Sequence, residues 1–476
     1  MGQVISITPE IDKTSRVPVY QQLFTYMKKQ IESGVISEND RLPSIRQLAA
    51  YLLISKNTVE MVYQQLLAEG YIHSKPRSGL FVLPVERLPV PGHTAVAGAP
   101  PTREAQAPDK CTEAWIDFEY GDVELAHFPV KQWKRCLMDA LDDLTNDVYG
   151  YGDRQGHAGL RTEIASYLYQ SRGVLCGPEQ IFLSAGTQQS ISLLCQLLPL
   201  SPQVAMEEPG YHGVRVVLAN HGREVMPIPL EHDGVSVDLL QASKARTIYV
   251  TPSHQFPIGT VMSVQKRVQL LQWAANNDGY ILEDDYDSEF RYQGQPIPAL
   301  KAMDTGDRVI YLGTFSKSFL PGARLSYFLL PQSLAHSFRT VMQAYSGSVS
   351  PTLQVAVYHF MEKGYFEGHV RKMRRLYQLR HKTLIRAIQE HLGNRVDIIG
   401  QKSGIHLLLN VYNRSSAELI ELAARQGVKV YTPKIHWMDP EACPDSYILL
   451  GFASLSEEMI REGILRLGAS WFPAQG

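Results

Sequence analysis

Between Pro84 and Cys111 the chain reads PVERLPVPGHTAVAGAPPTREAQAPDKC, rich in proline, alanine and glycine and almost without apolar periodicity. Proline fixes φ and removes a backbone donor, so such a run makes an extended, semi-rigid spacer rather than a helix or a central strand. One continuous core cannot pass through it. The parts on either side must fold as separate bodies, which sets expected boundaries at residues 1–83, a linker over 84–112, and residues 113–476. A chain of 476 residues has length for two to four domains of about 100 to 200 residues each.

Composition excludes several classes. Hydrophobic residues make up 44% and charged residues 20% of the chain, a globular balance rather than a disordered or fibrous one. The N-terminus MGQVISITPEIDK lacks a basic start and an apolar run, and no stretch approaches the roughly 18 apolar residues of a membrane span. Five scattered cysteines, Cys111, Cys136, Cys176, Cys195 and Cys443, have no paired or metal-ligand spacing. They read as free thiols in a reducing compartment, so the cytoplasm is expected. The formal net charge is −2. The first 83 residues hold nine Lys and Arg against seven acids, +2, leaving −4 for the remainder.

Upstream of the linker, three helices follow in quick succession. Pro18 opens the first, with Val19, Leu23, Phe24, Met27 and Ile31 apolar and Gly34 ending it. Ser44 caps a second with Ile45, Leu48, Ala49 and Leu52 on one face, and Ser55 caps a third with Val59, Val62, Tyr63 and Leu66 buried. The i, i+3, i+4, i+7 spacing is that of a helix with one core-facing stripe. Tyr71–Leu83 alternates around Pro76 and Gly79 as a short hairpin. Two helices joined by a short turn and followed by a hairpin describe a winged helix-turn-helix, whose second helix enters the major groove of double-stranded DNA. Lys56, Asn57 and Thr58 form that helix's polar first turn, and such side chains suit base edges and phosphates. Arg41 and Arg46 bracket the preceding helix, and Arg77 sits at the hairpin tip where phosphates would pass. The segment DRLPSIRQLAAYLLISKNTVEMVYQQLLAEGYIHSKPRSGLFV resembles the DNA-binding domain of the GntR family. That resemblance implies a dimer contacting paired DNA half-sites.

Downstream, strand-like runs such as VIYLGTF and YILEDDY alternate with helical stretches such as VQKRVQLLQWAANN. This is an α/β pattern with a mainly parallel sheet covered on both faces. In YLGTFSKSFLPGARLSY a strand runs into Thr314, Ser316 and Lys317, then a glycine turn and Arg324. In YILEDDYDSEF a strand ends in acids, and Asp284 and Tyr286, two apart, face one way. In IFLSAGTQQSISLLCQLL a strand gives way at Gly186 and Thr187 to a helix, whose N-terminal amides are a natural phosphate seat. A lysine, an acid, a phenol and a phosphate cradle are the needs of pyridoxal phosphate: a Schiff-base lysine, a partner for the ring nitrogen, a donor to the ring oxygen and anion contacts.

In the order AGTQQ, EEPGY, TPSHQFPIG, EDDY, SKSFLPGARL, these segments resemble the fold type I aminotransferases, and with the N-terminal part the whole chain resembles the MocR subfamily of GntR regulators. The resemblance implies a smaller C-terminal subdomain, Lys317 as the cofactor lysine, Asp284 at the ring nitrogen and Tyr286 at the ring oxygen. It places Arg324, Ser316, Thr314, Thr187 and Gly186 at the phosphate and Tyr211 over the ring. Tyr151, in YGYGDRQGHAGLR, resembles a tyrosine lent to the neighbouring subunit's phosphate, which implies a homodimer.

Two departures bear on activity. Aminotransferases grip the substrate carboxylate with a C-terminal arginine, and Leu449 stands at the matching place in SYILLGFASLS. GabR-like proteins have a second arginine where PGYHGVR has Gly213, with Arg215 two residues further on. Without such a clamp a small amino acid is poorly oriented for repeated proton transfer. The expectation is therefore a sensor of an amine or amino-acid-like effector, or of the cofactor itself. A working aminotransferase tethered by its DNA-binding domain is the alternative.

Overall fold

The structure, a computed structural model, describes residues 9, 11–12, 15, 17–75, 78–84, 115–143, 145–292 and 297–473. Contacts divide the chain into two units, Met1–Pro108 and Asp109–Gly476. Except for Pro84, the expected linker lies outside the described residues, as does Arg77.

In the first unit, α1 (Val19–Glu32), α2 (Ile45–Leu52) and α3 (Lys56–Ala68) precede an antiparallel hairpin of β1 (Ile72–Lys75) and β2 (Gly79–Val82). Ser44 caps α2 in a reciprocal box with Gln47, and Ser55 caps α3 through the Thr58 amide. These caps satisfy amides that a helix leaves unpaired at its start. Leu53, in the left-handed region at φ 52°, makes the sharp turn between the two helices. Leu23, Met27, Ile31, Leu48, Val59, Val62, Tyr63 and Leu66 are buried in one core with Ile72 and Val82 from the hairpin. The Tyr63 hydroxyl donates to the Pro43 carbonyl at 2.8 Å, tying α3 to the segment before α2.

The second unit opens with β3 (Ile116–Asp117) and α4 (Val130–Asp142). Its main sheet has eight strands: β4 (Ile181–Ser184), β5 (Gln203–Glu208), β6 (Glu224–Glu231), β7 (Gly234–Val235), β8 (Thr247–Val250), β9 (Tyr280–Asp285), β10 (Val309–Thr314) and β11 (Ser326–Leu329). Their order is β4-β11-β10-β9-β8-β5-β6-β7. Neighbours from β10 to β6 pair in parallel, while β11 and β7 run antiparallel to theirs. Strands β4, β8 and β11 are buried at every position, as expected of a sheet covered on both faces. A second sheet, β12 (Val396–Ile399), β13 (His406–Val411) and β15 (Tyr447–Gly451), is antiparallel, and the short β14 (Val428–Lys429) pairs with β3. The helices Tyr365–His391 and Glu457–Trp471 pack together beside this smaller sheet, whose core includes Leu407, Leu409, Ile448, Leu450, Leu384 and Ile464. No helix among the described residues is long and apolar enough to cross a membrane.

Candidate functional site

Five strands of the main sheet end on one cavity of about 170 Å³. It lies at their carboxyl edge, where open α/β sheets bind ligands. From β4 come Gly186, Thr187 and Gln188, from β5 Tyr211, from β8 Tyr249 and Thr251, from β9 Asp284 and Tyr286, and from β10 Thr314, Ser316 and Lys317; Arg324 completes the wall. Nine of the ten residues expected at a cofactor are thus brought together. Tyr151 is the exception: it is 80% exposed and lies off the cavity wall.

Strand alternation sorts the acids of β9. Glu283 turns to one face and accepts the amides of Leu300 and Lys301, each at 2.7 Å. Asp285 turns the same way, to Arg172 at 2.7 Å and the Tyr311 hydroxyl at 2.6 Å. Asp284 faces the cavity. Its Oδ2 accepts from Tyr249 at 2.5 Å, whereas its Oδ1 is buried with no partner. Burial pushes this carboxyl up to about 7; the Tyr249 bond opposes the shift, and the neighbouring Asp285, Asp287 and Glu207 add to it. A cationic ring nitrogen at Oδ1 would supply the missing counter-charge.

At the other end, anion contacts converge. Gly186 holds φ at +113°, and a Cβ there would lie 2.4 Å from Arg324 Nη2. Only glycine lets the guanidinium approach the start of the helix Thr187–Leu197 so closely. Arg324 also donates to the Ala185 carbonyl at 3.2 Å. The Ser316 amide donates to Thr314 Oγ1 at 3.2 Å, and Ser326, which sequence reading missed, reaches the same atom at 2.8 Å.

Lys317 sits between these ends. Its ammonium donates to the Gly121 carbonyl at 2.9 Å and lies 4.7 Å from the centre of the Tyr120 ring. Burial lowers its pKa to about 8, with Asp287 and Asp122 opposing. A depressed lysine pKa favours the neutral amine, and only the neutral amine can attack a carbonyl. Cofactor uptake by the apo-protein should therefore speed up with pH and level off above about 8, running at pH 7 at about a tenth of its plateau. Stopped-flow absorbance between pH 6.5 and 9 measures this, and a flat profile would contradict it.

Tyr120, Tyr249, Thr251 and Phe256 escaped sequence reading. Thr251 and Phe256 lie within the segment TPSHQFPIG, in which sequence reading singles out no residue, whereas Tyr120 and Tyr249 have no local pattern to mark them. The Tyr286 hydroxyl lies 3.0 Å from His254 Nδ1, which faces Asp287, also at 3.0 Å.

In the first unit, Arg46, Lys56 and Asn57 are exposed on the first turns of α2 and α3. Thr58 Oγ1 is 2.8 Å from Ser55 Oγ, so its hydroxyl belongs to the cap. Arg41 precedes α2, as expected, and is also held by the hairpin. It bridges Phe81 and lies along the hairpin, 3.1 Å from where a Cβ on Gly79 would stand, because the backbone of Asp40–Leu42 pairs with Leu80 and Val82.

The sequence profile of the family described as "Aminotransferase class I and II" matches residues 113–467, and that of "Bacterial regulatory proteins, gntR family" matches 19–82. The HTH-type transcriptional regulator YdeL of Bacillus subtilis is 41% identical over 474 residues, covering 98% of this chain and 100% of its own. The probable rhizopine catabolism regulatory protein MocR of Rhizobium meliloti is 35% identical over 470 residues, covering 97% and 95%. The chain belongs to the MocR subfamily of GntR-type regulators. The crystal structure of Pyrococcus horikoshii kynurenine aminotransferase in complex with PMP superposes with a TM-score of 0.68 at 25% identity, covering 75% of this chain and 91% of that one. This MocR-type regulator thus joins a DNA-binding helix-turn-helix to an aminotransferase fold, the fold expected from its sequence, whose cofactor is pyridoxal phosphate. The residues present fit that cofactor. The orphaned Asp284 Oδ1 awaits a cationic partner, and the Gly186–Arg324 approach makes a cradle that a side chain would fill.

Proposed function

We propose that this regulator carries pyridoxal phosphate on Lys317, reads an amine effector there, and passes the result to its helix-turn-helix. The convergence of Lys317, Asp284, Tyr286 and Arg324 on one cavity carries this reading. When bound, the cofactor supplies a carbonyl carbon that primary amines can take and a ring that accepts electron density. The chain's own groups do the rest. Arg324, Ser316, Gly186 and Thr187 hold the phosphate, and the carboxylate of Asp284 keeps a proton at the ring nitrogen. Tyr286 donates to the ring oxygen, Tyr211 covers the ring, and Lys317 is displaced by an incoming amine. Displacement switches DNA binding only if the effector has different affinities for two arrangements of the protein.

The reading includes a cytoplasmic homodimer on paired half-sites. Its support is the exposure of Tyr151 and of the apolar side chains Val130, Met138 and Leu141 on α4 and of Tyr149. Side chains of this kind, left open on one chain, suit burial against a second copy. Lys56, Asn57 and Arg46 would meet the major groove and Arg41 the adjoining backbone, with the wing at Arg77 beside it. The domain boundaries at 1–83, 84–112 and 113–476 belong to this proposal.

Titrating the cofactor-loaded protein with amines, while following both its absorption band and release of carbonyl product, tests the reading. A saturable band change with at most about one product per subunit is expected. Sustained turnover would instead make the protein an aminotransferase.

A further inference from the structure

The cavity places a limit on its effector. Among the described residues lining it, the cations are Lys317 and Arg324. Under the sensing role proposed above, Arg324 is committed to the cofactor's phosphate, and Lys317 holds the cofactor until an amine displaces it. The three places from which a carboxylate clamp could come are closed. Arg215 does not line the cavity; its guanidinium donates to the Ile435 carbonyl at 2.7 Å and lies 2.9 Å from His212 Nδ1. A Cβ on Gly213 would stand 2.7 Å from the Tyr211 ring and 2.8 Å from Gln188 Nε2, so a side chain there would displace the ring. Leu449 is buried and pairs with Leu408 on β13. By strand alternation it shares its face with Gly451, whose partner His406 packs edge-on against Tyr120 and Phe256 of the cavity wall. An arginine at 449 would therefore project from the face turned toward the cavity wall, and leucine supplies no charge there.

Neighbouring histidines do not replace the clamp. Burial lowers His436 to about 4 and holds His406 well below its ordinary value, so both are neutral near pH 7. Beyond the residues assigned to the cofactor, the wall is Tyr120, Tyr249 and Phe256 with the uncharged Gln188 and Thr251. Phe256 lies 4.8 Å from Tyr120, 5.8 Å from Tyr211 and 4.6 Å from His436, ring centre to ring centre. A carboxylate carried into this space would lose its water and find no dedicated counter-charge on this subunit's described wall, whereas an apolar or aromatic body would gain contact area.

We propose that the effector is a primary amine without a carboxylate, its apolar or aromatic body resting against Tyr120 and Phe256. The inference rests on the amine-sensing reading and names the ligand class for that site. It is tested on the full-length, cofactor-loaded protein with matched pairs: phenethylamine against phenylalanine, tyramine against tyrosine, butylamine against 4-aminobutyrate. The cofactor absorption band and the thermal midpoint are both read. Each amine should act at a concentration at least about tenfold below that of its carboxylate-bearing partner. Leu449→Arg should narrow or reverse that gap, and Gln188→Arg, at an exposed position on the cavity wall, guards against a failure of the first variant to fold. An amino acid acting at equal or lower concentration than its paired amine overturns the inference and leaves amine sensing intact. A gap that survives in a folded arginine variant overturns the clamp argument. Silence from every compound overturns the sensing reading and this inference with it.

Discussion

Lys317→Ala is expected to abolish the absorption band of the lysine-bound cofactor and every amine-induced change in it, while the protein stays folded and DNA binding stays measurable. The fold should tolerate the change because Lys317 holds little together. Its ammonium has one hydrogen bond, to the Gly121 carbonyl, and one ring contact, with Tyr120. Burial already disfavours its charge, as its lowered pKa of about 8 shows. Removing it should shift stability by no more than about 1 kcal/mol in the cofactor-free state. The helix-turn-helix is insulated by a core of its own, from Leu23 through Val82. Absorbance spectra, thermal unfolding and gel retention on DNA from the gene's own promoter region, run on one preparation, check all three statements. An amine response that persists in the variant would remove Lys317 from the sensor. Loss of fold would mean that the lysine is structural.

Helices and caps of the DNA-binding unit were legible because their determinants are local. The stripe Val59, Val62, Tyr63, Leu66 and the caps Ser44 and Ser55 depend on residues within one or two turns. Strand ends that carry chemistry were legible for a related reason: Lys317 and Asp284 follow apolar runs, and polar residues at the ends of buried strands stand out. What sequence reading could not supply was the sorting of like residues by partner. Glu283, Asp284, Asp285 and Asp287 form one acidic run, yet only Asp284 lines the cavity. The others are settled by Lys301, Arg172 and His254, which the fold brings in from elsewhere. Tyr249 is the sharpest case. It sits within a buried strand like any core aromatic, and only the pairing of β8 with β9 sets its hydroxyl against Asp284. Arg41 looked like a helix-flanking charge until backbone pairing with Leu80 and Val82 carried it onto the wing.

The same sorting locates the largest stability effect. Arg172→Met should cost about 3–5 kcal/mol, the range for removing one partner of a buried ion pair. All three guanidinium nitrogens are used: Nε on Asp285 at 2.7 Å, Nη2 on Ser253 Oγ at 2.5 Å and Nη1 on the Ile297 carbonyl. The side chains of Arg172 and Asp285 are 6% and 1% exposed, so water cannot take over when one is lost. Burial alone would lower the arginine's pKa, but the Asp285 carboxylate outweighs it and keeps the group charged. In the variant, Asp285 would be left buried with Tyr311 as its remaining donor and Asp284 next along the chain. With the guanidinium gone, the Asp285 charge would bear on Asp284 uncompensated and raise it further, and a neutral Asp284 is a poor partner for a cationic ring nitrogen. Cofactor affinity should fall together with stability, which a merely structural pair would not require. Denaturant midpoints of the apo-protein and cofactor titrations of the folded variant separate the two effects. Arg172→Met combined with Asp285→Leu should recover most of the stability, since an apolar pair of similar bulk leaves no charge unpaired. If the single variant loses less than about 1 kcal/mol, water reaches Asp285, and the account of Asp284 as a buried carboxyl waiting for a cation fails with it.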